Sequence, residues 1–245
     1  MKHLTLFLFA LVTSVAAAQN APRPLTSFDK VIVSPLVSLV LTAGDQETVR
    51  FEYENVGPEK VNCYVDNRTL RIYLDGAEIA VKTRKYREGG NDYRKPVYEN
   101  VRVTAYVTYK SLKTLEVRGE ERVVCESPLS AEEFRLRVYG QADVRLAELR
   151  TRSLKAAFYG ENKVTIASGK AERQLFRVFG ENQVETEALT GRDVVTRAYG
   201  DNHLNLHASD RIHVMALGES EIRYAGEADL HRGLVIGDVT IRKTR

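Results

Sequence analysis

Over the second half of the chain, apolar and polar residues alternate with a period of two around a recurring glycine. Leu136 and Val138 precede Gly140, Phe176 and Val178 precede Gly180, and Val214 and Ala216 precede Gly218. After the glycines the apolar positions are Val144 and Leu146, Val164 and Ile166, Leu204 and Leu206, Ile222 and Tyr224. Between them stand Asp143, Arg145, Lys163, Thr165, His203 and Asn205. A period of two predicts strands with one buried face, and helical spacing is absent from this region.

The glycines themselves repeat. Gly119, Gly140, Gly160, Gly180, Gly200 and Gly218 are spaced by 21, 20, 20, 20 and 18 residues, mostly with an aromatic residue before them and an acid or amide after. A coil of about 20 residues cannot bury its inner face alone, so the pattern predicts stacked coils with a continuous core. Glycine at each bend supplies backbone freedom that a residue with a Cβ resists. The expected architecture is all-β, a right-handed parallel β-helix-like solenoid. An antiparallel meander of hairpins with similar spacing is the alternative.

Residues 28–115 also read as strands but lack the glycine mark. Val31 and Val33, Leu70 and Ile72, and Val101 to Val107 alternate with polar neighbours. Lys82 to Pro96, charged and containing Gly89-Gly90-Asn91, reads as an exposed loop. The expected organisation is a leader over 1–18, a linker over 19–27, an N-terminal β region capping the solenoid over 28–115, and the repeats over 116–245. The last two parts form one continuous domain in this reading, 28–245, and Arg242, Lys243 and Arg245 are expected to discourage end-to-end association.

Composition then narrows the reading. Lys2 and His3, a mostly apolar Leu4 to Val15 and the small Ala16-Ala17-Ala18 form a secretory leader with cleavage expected before Gln19. A retained anchor and an acylated start fit less well, because the apolar run is short and no cysteine follows it. The expected location is exported: periplasm, cell surface or extracellular, and not integral to the membrane. With 36 Lys/Arg against 33 Asp/Glu, interleaved along the chain, there is no basic stripe of the kind a nucleic acid needs. Twelve tyrosines and no tryptophan suit strands. Cys63 and Cys125 fit as small buried residues; export also leaves a disulfide between them open.

Three rows on the repeat are candidates for chemistry. Asn162, Asn182 and Asn202 have inward parity and predict a stacked amide ladder. Glu161, Glu181, Asp201 and Glu219 predict an acid row on a wet edge, with calcium ligation as the alternative. Tyr139, Tyr159, Phe179 and Tyr199 face outward, with Arg137, Arg177 and Arg197 two residues before Tyr139, Phe179 and Tyr199. Such a row either binds the flat faces of sugar rings, with arginine on hydroxyls or acidic groups, or stabilises the sheet. His203 and His207 are too far apart along a strand to share one metal, and no P-loop, HExxH or G-x-S-x-G motif occurs. No cofactor or metal is expected.

The chain resembles the putative auto-transporter adhesin, head GIN domain family of exported, Bacteroidetes-type proteins. The resemblance rests on Phe28-Asp29-Lys30-Val31-Ile32-Val33, the Leu70-Arg71-Ile72 and Val101 to Val107 strands, the glycine-marked repeats, and the close Glu221-Ile222-Arg223-Tyr224-Ala225-Gly226. Family members usually carry Gly-Ser-Gly type bends, whereas these read Tyr-Gly-Glu-Asn. The resemblance implies a non-catalytic adhesive or scaffolding protein with a glycan or cell-surface partner. A polysaccharide-cleaving β-helix enzyme, with acids scattered over several coils, and a periplasmic envelope-stress sensor are the alternatives.

Overall fold

The computed structural model describes residues 21–244, so the leader expected over 1–18 lies outside the described residues. The glycine-marked half is built from the long strands Arg122–Gly140, Asp143–Gly160, Gly169–Glu185, Asp193–His207, Arg211–Ala225 and Asp229–Lys243. Each runs parallel to its successor, and Lys163–Ile166 completes the layer between the second and third. Parallel pairing at every step makes a solenoid and removes the hairpin meander. The bend glycines fall in register, Gly119 on Gly140, Gly140 on Gly160, Gly160 on Gly180 and Gly180 on Gly200. Their φ values are positive, and a Cβ on Gly160 would run into the carbonyl oxygen of Gly140. Gly237, with φ +102°, makes one more bend, with Ile236 before it in place of an aromatic residue.

The core fills by exchange of volume between neighbouring coils. Leu136 and Val138 in one coil meet Ala156 and Phe158 in the next, then Phe176 and Val178, then the small Thr196 and Ala198. All eight side chains are buried. Large and small residues therefore alternate down the first column, and each buried ring, Phe158 and Phe176, has smaller neighbours above and below it.

The N-terminal region both continues the stack and closes it. Lys30–Val33 lies between Thr114–Gly119 on one side and Thr69–Leu74 on the other, all parallel. Val37–Ala43 lies likewise between Arg122–Gly140 and Arg102–Tyr109. Antiparallel strands then finish this end: Thr48–Glu54 on Arg102–Tyr109, and Val61–Asp66 on Thr69–Leu74. Here the bend is made by Pro35 and Leu36, the latter at φ +71°, so no glycine marks it. The segment expected as a loop is instead a two-stranded hairpin, Thr83–Glu88 with Asn91–Pro96, forming a sheet of its own. Its alternation is among charged and aromatic residues, so no apolar face announced it.

The two cysteines are free. Cys125 is buried with its sulfur 3.3 Å from the Tyr109 hydroxyl, while Cys63 is half-buried in the antiparallel edge. Burial raises both the Cys125 thiol and the Tyr109 phenol above their ordinary pKa, so both stay protonated.

One buried group works against stability. Thr196 is fully buried between Phe176 and Val214, and its hydroxyl has no hydrogen-bond partner. Thr196→Val keeps the shape and removes the orphaned hydroxyl. It should raise stability by about 1 kcal/mol in urea denaturation; a loss of stability would show that the hydroxyl is satisfied.

Candidate functional site

In-register stacking turns every outward position into a column. Tyr139, Tyr159, Phe179 and Tyr199 pair in sequence down the solenoid. Their ring centroids are 5.1, 4.9 and 4.8 Å apart, with planes within 5° of parallel. Coil spacing slightly exceeds the thickness of a ring, so the rings slide into the offset stack that aromatic pairs prefer. Most of each inner ring face is consequently covered by its neighbour. What the row offers to a ligand is ring edges and the hydroxyls of Tyr139, Tyr159 and Tyr199, rather than the flat faces pictured from sequence. The column continues through Leu217 to Ile236 on one side and meets Arg118 on the other.

The arginines occupy the adjacent column, in the order Glu116, Arg137, Ala157, Arg177, Arg197, Met215. They are not equivalent. Arg137 pairs with the buried Glu116 at 3.7 Å, a carboxylate also held by Lys30 at 3.7 Å and by Arg118 at 2.5 Å. Arg177 and Arg197 lie directly on one another, and neither has a carboxylate within 4.0 Å among the described residues. The Arg197 Nε is buried without any hydrogen-bond partner. Two adjacent cations lacking a counter-charge, beside the rings of Phe179 and Tyr199, are the least satisfied part of this face.

A groove of about 710 Å³ opens at the Tyr139 end of the ladder. Its walls are Leu36, Ile79, Val81, Pro96 and Tyr98, and its polar groups include Arg118 and Glu121. Burial pushes the Glu121 carboxyl above the usual range, opposed by its bonds to backbone N–H groups. Sequence reasoning missed this groove, because the segment around Ile79 meets the ladder only through the fold.

The inward row forms a continuous amide ladder. The Asn162 Nδ2 donates to the Asn182 Oδ1 at 3.0 Å, and the Asn182 Nδ2 donates to the Asn202 Oδ1 at 3.1 Å. Each amide oxygen also accepts the backbone N–H of the preceding coil, from Ala142, Asn162 and Asn182 respectively. Below Asn202 the column holds Ser220, whose hydroxyl donates to the Gly200 carbonyl, and the Asn202 Nδ2 is left without a partner. The acids behave differently. Glu161 accepts from Gln141 at 3.1 Å, and Asp201 lies 3.8 Å from His203. A second groove, about 550 Å³, is lined by Glu181, Glu185, Asp201, Glu221 and Arg223. Among the described residues no three His, Cys, Asp or Glu side chains are placed to hold one metal ion.

Stacked parallel coils carrying these outward columns define a β-solenoid repeat protein. The chain belongs to the family described as putative auto-transporter adhesin, head GIN domain, whose match covers residues 27–228. A putative adhesin from Bacteroides fragilis superposes with a TM-score of 0.72 at 16% identity, over 92% of this chain and 96% of that one. A putative adhesin from Parabacteroides merdae gives 0.67 at 15% identity, over 92% and 95%. A putative lipid binding protein from Parabacteroides distasonis gives 0.63 at 15%, over 92% and 96%. At such identities the likeness is one of fold. No curated protein matches the chain.

Two stability predictions separate the ladders. Phe179→Ala removes two ring stacks and should cost about 1–3 kcal/mol in urea denaturation, whereas Tyr139→Ala removes one and should cost less. Equal costs would mean that the rings do not support one another. For the amides, Asn182→Ala should lose about 2–3 kcal/mol, while Ser220→Asn extends the ladder to the orphaned Asn202 amide and should gain about 1 kcal/mol. A destabilised Ser220→Asn protein would show that the column has no room for another amide.

Proposed function

We propose that this chain is an exported, non-catalytic adhesin-like protein that holds a glycan bearing acidic groups against the sheet face of the aromatic ladder. The observation that carries this reading is the unpaired Arg177–Arg197 column beside Phe179 and Tyr199. An acidic sugar supplies the missing counter-charge, its hydroxyls meet the tyrosine hydroxyls, and its apolar edges rest on the ring edges. The Tyr139 end of the ladder leads into the groove at Val81 and Pro96, which extends the surface available to a chain-like ligand. Family membership and the putative adhesins among similar folds support the adhesive role.

A glycan array probed with the mature chain tests the assignment. Arg177→Gln/Arg197→Gln should weaken binding of acidic glycans about ten-fold, equivalent to about 1.4 kcal/mol. Tyr159→Ala/Phe179→Ala/Tyr199→Ala should weaken acidic and neutral members alike. Unchanged binding in both variants removes this face from the reading.

Cleavage of a polysaccharide is the second reading, favoured by the groove lined by Glu181, Glu185, Asp201 and Glu221. It ranks lower because two of these four carboxylates are already engaged: Glu185 accepts from Gln183 and Asn205, and Glu221 from Arg223. Release of reducing ends from a polysaccharide, abolished by Glu185→Gln, would establish it instead.

A further inference from the structure

The hairpin Thr83–Pro96 is the most charged element of the molecule. Residues 82–96 hold six Lys/Arg and two Asp/Glu, which leaves the rest of the chain with 30 basic against 31 acidic residues. The net positive charge of the protein therefore resides on this one element, although along the sequence the two signs look interleaved. Register makes the concentration sharper. Arg84 lies directly opposite Lys95, and Lys85 directly opposite Arg94. Because these rungs are consecutive, one cation pair faces each side of the ribbon.

Like charges placed opposite each other destabilise a pair of strands, and a two-stranded hairpin is marginal by itself. Nearly every side chain of this one is exposed, so burial does not explain its sequence. Lys95 has Glu99 at 3.6 Å and Arg87 has Asp92 at 3.5 Å. Arg84, Lys85 and Arg94 have no carboxylate within 4.0 Å among the described residues. Next to the Arg84–Lys95 rung on the same face, Tyr86 and Tyr93 stack at 5.4 Å, and the Lys95 ammonium lies 5.6 Å from the centre of the Tyr86 ring. Both rings remain exposed.

We propose that this hairpin is a docking element for a linear acidic polysaccharide, with the Arg84–Lys95 and Lys85–Arg94 rungs neutralising its charged groups and the Tyr86–Tyr93 stack receiving a sugar ring. Three features select that occupant. The tip, Glu88-Gly89-Gly90-Asn91, has no apolar side chain to enter a bilayer, and a flat membrane would meet only one face of the ribbon. A nucleic acid calls for a basic stripe that tracks its backbone, and beyond the hairpin the chain is slightly acidic. A flexible polymer can reach both faces, and Val81 and Pro96 at the hairpin base lead it into the groove beside Tyr139. The contact is separate from the Arg177–Arg197 column and does not depend on it.

The test is titration of the full chain with polygalacturonate, with neutral dextran as the uncharged control. Polygalacturonate should bind and dextran should not, and affinity should fall about ten-fold or more when salt is raised about four-fold. In the Arg177→Gln/Arg197→Gln background, adding Arg84→Gln/Lys85→Gln/Arg94→Gln/Lys95→Gln should remove most of the remaining binding together with its salt dependence. The charge-keeping exchange Lys85→Arg/Arg94→Lys should retain both, and Arg177→Gln/Arg197→Gln should leave the hairpin-dependent, salt-sensitive part in place. Affinity unchanged by the four added glutamines, or equal binding of dextran, overturns the proposal. So does tighter, hairpin-dependent binding to phosphatidylglycerol vesicles or to single-stranded DNA than to polygalacturonate.

Discussion

In-register parallel pairing of successive coils is the constraint on which everything else in this molecule depends. Once the backbone of each coil bonds to the next at strand spacing, every side chain sits on its counterpart. A residue type that tolerates its own kind at that distance can be repeated, and one that does not must be varied. Asparagine repeats inward because its amide both donates and accepts, so Asn162, Asn182 and Asn202 bond to one another. Aromatic rings repeat outward because their planes can lie parallel in an offset stack. Glycine repeats at the bend because a Cβ there would meet the carbonyl of the coil above.

Charge obeys the same rule with the opposite sign. Most cations in the stack are answered across coils or within two residues: Arg152 by Glu132, Lys155 by Glu133, Arg211 by Asp193, Arg223 by Glu221. Glu116, nearly buried, is answered by three cations at once. Among the described residues Arg135, Arg145, Lys163 and Arg173 also lack a carboxylate within 4.0 Å, but in the Arg177–Arg197 column and the Lys85–Arg94 rung two such cations lie directly on one another. Neither is required by the fold, and both oppose the electrostatics of their own sheet. Groups that cost stability where the scaffold does not need them point to use by a partner more directly than the conspicuous rings, which stabilise their own sheet.

The glycine-marked half was legible in the sequence because its two signals are physical requirements of each coil: positive φ at the bend and alternation on the strands. The N-terminal half was less so. Its bend uses Pro35 and Leu36 in place of glycine, and Thr69–Leu74 enters the stack out of chain order, on the far side of Lys30–Val33. The hairpin was read as a loop because alternation among arginine, lysine and tyrosine carries no hydrophobic periodicity. The aromatic row was found by spacing alone, but parity gives only the side a residue faces. That the rings cover one another, and that Arg137 is engaged while Arg177 and Arg197 are not, depends on what occupies the next column.

The two ends of the described stack depart from the repeat in different ways. At the N-terminal end antiparallel strands cover the last parallel ones. At the other end Asp229–Lys243 is the outermost strand, and Leu234 and Ile236 are 52% and 55% exposed. This strand still departs from the repeat in ways that oppose a further layer. Arg232 stands over Val214 and Lys243 over Tyr224, so cations occupy positions that are apolar and buried in the coil before. The register also slips between the Val214 and Ala216 pairings, which breaks the regular ladder a new strand would copy. Misplaced charge and a bulge are the devices by which open sheet edges avoid templating another strand. Lys243, paired with Glu227, thus puts a charge at the end of the core column that Tyr224 fills in the coil before.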